Sequence, residues 1–154
     1  MKTLIICFSY HHKNTEKIAS IFAKNLDAEI KTPAQVDPNS LSNYDLVGFG
    51  SGIAFGKHYQ ELLDLAGKLP KATNTKAFIF STSGQTGKTS KFHKKLREAL
   101  ESKGFMIVEE FNCAGFDTYG ALKLFGGIQK GHPDDDDLKQ AEAFALILRQ
   151  PSKA

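Results

Sequence analysis

Tryptophan is absent from this chain, and cysteine occurs only at Cys7 and Cys113. Two cysteines so far apart, each inside an apolar run, match neither the paired spacing of a zinc site nor the dense framework of a secreted disulfide scaffold. Buried thiols in a reducing compartment are expected instead. No apolar run approaches the ~20 residues that a membrane-spanning helix needs, and the one within Met1–Phe8 is too short for a signal peptide. A cytoplasmic protein without a membrane partner is therefore expected. The net charge of +3 is small and the basic residues form no long stripe, which argues against nucleic acid as a partner.

What is present is ordinary globular material: 41% hydrophobic residues, 24% charged residues and twelve Phe in 154 residues. That length suits one compact domain spanning residues 1–154. Thr3–Phe8 (TLIICF) is a continuous β-branched and apolar run, the pattern of a strand buried on both faces. A helix is expected from about Asn14, where Ile18, Ala19, Phe22, Ala23 and Leu26 share one face. A short strand near Glu29–Lys31 and a loop over Thr32–Asn43 follow. Asp45–Gly50 and Lys76–Phe80 read as further buried strands, each followed by a glycine- and hydroxyl-rich loop. Leu62, Leu63, Ala66 and Leu69 mark a helix stopped by Pro70. Phe92, Leu96, Ala99 and Leu100 mark another, ending near Gly104. Phe105–Cys113 is a fifth strand, Ala114–Gly131 an irregular segment, and Asp134–Asp137 open a last helix at the positive end of its dipole. Strand and helix in alternation give a parallel sheet with helices on both faces.

In such sheets ligands bind beyond the carboxyl ends of the strands, where strand order reverses. Three segments fall there: Ser9–Thr15, Ser51–His58 and Thr82–Thr89. Their Ser, Thr, Asn and Gly suit an anionic, planar ligand. The first is the most informative, because a phosphate is held by backbone N–H groups at a helix start together with short polar side chains. Ser9, Asn14 and Thr15 offer those side chains, and His11 and Lys13 add charge. The plainer alternative is that Asn14 or Thr15 only caps the helix.

Ser9-Tyr10-His11-His12-Lys13-Asn14-Thr15 resembles the phosphate signature of flavodoxins, a hydroxyl residue followed by a short loop ending in Gly-Asn-Thr, with Lys13 in the glycine position. Gly50-Ser51-Gly52-Ile53-Ala54-Phe55-Gly56 and Ser81-Thr82-Ser83-Gly84 are similar to the two flavodoxin loops that grip the isoalloxazine. Gly115-Phe116-Asp117-Thr118-Tyr119-Gly120 is similar to a segment of small flavodoxin-domain proteins. The resemblance implies a flavodoxin-like three-layer α/β sandwich, a five-stranded parallel sheet in the order 2-1-3-4-5. It also implies a non-covalent FMN contacted by Ser9, His11, Lys13, Asn14 and Thr15 at the phosphate. Ser51, Gly52, Ile53, Phe55 and Gly56 would lie on one side of the ring. Thr82, Ser83, Gly84 and Gln85 would line its edge, and Phe55 and Tyr119 are the stacking candidates. Lys13 departs from the pattern, since glycine permits backbone conformations that lysine resists.

Other motifs carry less. Ser83–Thr89 imitates a Walker loop but has Thr82 where the first glycine belongs, and it follows the fourth strand rather than the first. The glycines at 50, 52 and 56 miss the dinucleotide spacing. Cys7 with Lys13 mimics a phosphatase loop, yet lysine cannot copy the arginine fork. His11 and His12, and Asp134–Asp137, fit no metal pattern. Lys88, Lys91, His93, Lys94, Lys95 and Arg97 form either a solvated helical face or a docking surface for an acidic redox partner or for NADPH. Two functions remain: an electron carrier that docks redox partner proteins, or an FMN-dependent NAD(P)H oxidoreductase acting on a quinone or other small acceptor. His58 and Tyr119 would be proton donors in the second.

Overall fold

In the computed structural model, which describes residues 1–9, 13–115 and 131–150, the run Thr3–Phe8 forms β1, an inner strand of a mainly parallel sheet. Its side chains alternate between two cores: Leu4 and Ile6 enter one, Ile5 and Cys7 the other. That explains why the sequence is apolar without a break. The remaining strands are β2 (Glu29–Lys31), β3 (Leu46–Ala54), β4 (Lys57–His58), β5 (Lys76–Ser83) and β6 (Met106–Ala114). The parallel order is β2-β1-β3-β5-β6, and β4 pairs antiparallel with β3. Leaving out the two-residue β4, this is the expected 2-1-3-4-5 order.

Helices α1 (Asn14–Leu26) and α4 (Asp135–Arg149) cover one face, where Ile18, Phe22, Ala141 and Leu148 join the core. Helices α2 (Gln60–Lys68) and α3 (Thr89–Ser102) cover the other with Leu62, Leu65, Leu96 and Leu100. On the α1/α4 side, Phe22 sits among Phe78, Phe80, Phe111 and Phe144 at centroid distances of 5.1–5.7 Å, three of the four in edge-on packing. Edge-to-face pairs gain beyond the area they bury.

The rings of Phe78 and Phe80 need space on the neighbouring strand. Gly48 pairs with Phe78 and Gly50 with Phe80, and a Cβ at either glycine would fall within 2.3 Å or 2.2 Å of a ring carbon. These two glycines therefore serve the core and not a ligand.

Three expectations are corrected. The segment Ser51–His58 is not a loop: β3 runs on through Ser51 and Gly52 to Ala54, turns, and returns as β4. Likewise β5 extends through Ser81 and Thr82 to Ser83, because parallel pairing with β6 continues to Ala114. Thr32–Asn43 contains two 3-10 turns, Pro33–Gln35 and Pro38–Asn43, each opened by its proline.

Candidate functional site

Three adjacent strands, β1, β3 and β5, deliver their carboxyl ends to one edge of the sheet. At the first, Lys13 is exposed and stands at φ 54°, ψ 34°, in the left-handed region. This is the conformation that a glycine would adopt freely and that costs a lysine roughly 1–2 kcal/mol. Lys13, at the N-cap, makes no side-chain capping bond, and the positive end of the α1 dipole lies beside this loop. Asn14 and Thr15 are buried behind it. His11 lies outside the described residues, as do Tyr10 and His12, while Ser9 is half-buried.

Thr15 ties this loop to the third segment: its Oγ1 is 2.8 Å from Oγ1 of Thr82. Gly115, just past β6, closes the group. A Cβ there would stand 3.0 Å from both Asn14 Nδ2 and Thr82 Cβ, and its N–H donates to the Ser83 carbonyl at 3.0 Å. The Ser83 hydroxyl donates to the Gln85 carbonyl, which fixes the turn that follows. Thr82, Ser83 and Gly84 are buried, and Gln85 is exposed.

The second segment is a hairpin. Phe55 and Gly56 both have positive φ, 55° and 76°, as a two-residue type I′ connection requires. Glycine meets that demand freely and phenylalanine does not. The Phe55 side chain is 85% exposed, which sets an aromatic ring at the rim of the sheet edge. Ile53 is half-buried, and a side chain at Gly52 would strike the Tyr59 hydroxyl at 2.6 Å. Tyr119 lies outside the described residues. Of the proposed ligand-contacting residues, then, the structure gathers Ser9, Lys13, Asn14, Thr15, Gly52, Ile53, Phe55, Gly56, Thr82, Ser83, Gly84 and Gln85 at one sheet edge.

Ser51 has a different employment from the one expected. It is fully buried, and its Oγ lies 2.8 Å from His58 Nδ1 while accepting from Tyr59 N–H at 3.2 Å. Its register partner Ser81 does the same with a second histidine: Ser81 Oγ is 2.6 Å from His93 Nε2. Beyond His93, Nδ1 lies 2.9 Å from Glu110 Oε1, and Arg97 grips both carboxylate oxygens of Glu110 at 2.7 Å. His93 is therefore no member of a basic face; it is wholly buried. Burial is the main cause that pushes it down to about 4, against the pull of Glu110. His58 is driven well below 6.5, first by burial and then by His93. A buried histidine held neutral is a poor proton donor, so the expectation for His58 in that role fails. The signal for His93 was available: it lies three and seven residues before Leu96 and Leu100, on the apolar stripe of α3.

Cys7 and Cys113 are both free and buried, and burial pushes each thiol up to about 12. Such a thiol is no nucleophile. Asp134 and Asp137 form a capping box at the start of α4, with Asp137 2.5 Å from His132 Nδ1. No helix among the described residues is long and apolar enough to cross a membrane.

A family model described as a flavodoxin domain matches residues 5–126. An uncharacterised protein of Methanocaldococcus jannaschii is 54% identical over 148 residues, covering 96% of this chain and 98% of its own. Among solved structures, oxidised flavodoxin 2 of Bacillus cereus superposes with a TM-score of 0.70 at 18% identity, covering 95% of this chain and 96% of its own. A Fusobacterium nucleatum flavodoxin bound to flavin mononucleotide superposes at 0.67 and 12% identity, covering 96% of this chain and 97% of its own. At such identities the structural likeness speaks for the fold.

Proposed function

Since this chain belongs to the flavodoxin domain family, we propose that it binds FMN without a covalent bond and acts as an electron carrier between redox proteins. One observation carries the choice of ligand: the left-handed Lys13 leading into Asn14-Thr15 at the start of α1. Strain at a loop residue beside a helix N-terminus fits an anion such as the FMN phosphate, with the lysine charge added to it.

Bound FMN supplies one- and two-electron chemistry. The chain's own part is to hold and shield it. Thr15 and Lys13 would bind the phosphate, Phe55 would cover a face of the ring, and the 83–85 backbone would border its edge. Thr15 and Thr82, joined by their hydroxyls, keep the phosphate end and the ring edge in a fixed relation.

The carrier reading has its own support. The buried, neutral His58 removes one of the two proton donors that a stand-alone reductase would use. Lys88, Lys91, Lys94 and Lys95 are exposed and α3 has no acid in its first turn, so cations crowd the positive end of its dipole. That arrangement opposes helix stability and suits an acidic partner surface beside the Gln85 turn.

Titration of the apoprotein with FMN, followed by flavin fluorescence, tests the cofactor: quenching with one-to-one stoichiometry is expected, and unquenched flavin defeats the proposal. Anaerobic mixing of the FMN-loaded protein with NADH or NADPH then separates carrier from oxidoreductase. Slow bleaching is expected of a carrier, whereas rapid bleaching with no partner reductase present assigns the protein to the second function.

A further inference from the structure

The buried chain behind β5 has a single direction, and Arg97 sets it. A guanidinium only donates, and it occupies both oxygens of Glu110. Glu110 is held ionised: burial opposes the charge, but the bonds from Arg97 and His93 outweigh it. His93 Nδ1 must therefore donate to the carboxylate, at 2.9 Å. In a neutral ring Nε2 is then an acceptor, so Ser81 gives its one hydroxyl proton to His93. Ser81 Oγ is left to accept from Asn112 Nδ2 at 2.8 Å, and the second proton of that amide goes to Ser83 Oγ at 3.1 Å. Ser83 in turn gives its own proton to the Gln85 carbonyl. Every side-chain proton of His93, Ser81, Asn112 and Ser83 is spoken for, and none can reverse alone.

The chain crosses from a half-exposed carboxylate to the turn that, on the reading above, borders the flavin ring. Apolar side chains would have filled this layer more simply, since a buried polar chain is stabilising only when every member is satisfied. One acceptor stays idle: Asn112 Oδ1 is buried without a partner among the described residues. It is the group to which Ser81 would donate if His93 ceased to accept, and reaching it turns the amide over and withdraws a donor from Ser83.

We infer that His93 is a positioning residue for the flavin ring, acting through Ser81, Asn112 and Ser83 on the 83–85 backbone. This inference rests on the FMN reading, and the two fail differently. The groups that face His93 are Glu110 and Arg97 at its outer side, Ser81 beneath it and the His58 ring 4.9 Å away.

The test is Glu110→Leu, a change of similar size at a partly exposed position. It leaves His93 Nδ1 without an acceptor, so the ring proton moves to Nε2 and reverses the bond to Ser81. Nitrogen NMR of the apoprotein should read His93 protonated at Nδ1 in the wild type and at Nε2 in Glu110→Leu. In the loaded proteins, the ratio of affinities for oxidised and reduced FMN should change by about threefold or more, the scale of one hydrogen bond. His93→Gln, which can donate to Glu110 and accept from Ser81 through its own amide, should keep the wild-type ratio. A wild-type proton on Nε2, a tautomer unmoved by Glu110→Leu, or a moved tautomer with an unaltered ratio overturns the inference while FMN binding stands. A wild type that takes up no FMN removes both.

Discussion

The imidazole rings of His58 and His93 lie 4.9 Å apart at a tilt of 39°, each bonded to a serine of the same strand-pair rung, Ser51 and Ser81. Two neutral histidines packed together beneath the carboxyl edge of the sheet make that edge sensitive to acid in a way that the surface charge does not reveal.

Acid should destabilise the protein before its carboxylates are protonated. His93 is lowered to about 4 and His58 well below 6.5, both chiefly by burial. Between these values and 6.5 the unfolded chain binds protons that the folded chain refuses, so stability is full above about pH 6.5 and falls as pH drops toward 4. His93 alone should contribute roughly 3 kcal/mol to that loss. His132 acts in the opposite sense: its bond to Asp137 raises it, so its contribution is present below pH 6.5 and fades as pH rises past its folded value. Urea midpoints between pH 7.5 and pH 4.5 should decline, and His93→Gln should flatten the decline. A level wild-type curve contradicts the account.

Lys13→Gly separates strain from charge. Relief of the left-handed lysine is worth roughly 1–2 kcal/mol, partly offset by the greater freedom of glycine in the unfolded chain. The variant should therefore unfold at equal or slightly higher urea. Its FMN affinity should fall several-fold at low salt, with less salt dependence than the wild type, because the lysine charge near the phosphate is gone. Affinity equal to the wild type at low salt would mean that Lys13 does not reach the phosphate.

Phe22 is the most heavily used ring of the α1/α4 core, in contact with four other phenylalanines and fully buried. Phe22→Ala should cost about 3–5 kcal/mol in urea unfolding, and Phe22→Leu much less. Near-equal losses for the two variants would show that the core collapses around the gap.

Asp134 caps α4 by accepting from Asp137 N–H at 3.0 Å. Asp134→Ala should lower the midpoint in the same unfolding experiment and should leave FMN affinity untouched. A matching fall in FMN affinity would connect the start of α4 to the site.

The sheet and its helices were legible because their apolar patterns are long and regular; Thr3–Phe8 and the stripe from Ile18 to Leu26 could hardly be read otherwise. Strand ends were less so. Ser51 and Gly52 look like loop residues by type, yet they continue β3, because a histidine seven residues on satisfies the serine and Tyr59 fills the space over the glycine. The Phe55–Gly56 turn escaped notice for a related reason: type I′ turns advertise themselves by Asn-Gly, not by an aromatic residue. In the Ser9–Thr15 segment the motif was informative even in its departure, since the glycine position does carry the left-handed backbone. The Ser81–His93–Glu110 chain was hidden by composition. His93 stands among lysines in sequence, and only its spacing to Leu96 and Leu100 separates it from them.

Gly48 and Gly50 occupy their positions on account of the two phenylalanines opposite, not of any ligand. Ring and glycine form one unit of volume shared between neighbouring strands. Across related chains, a smaller residue at 78 or 80 should accompany a larger one at 48 or 50. Changes at these glycines thus follow the bulk of the interior.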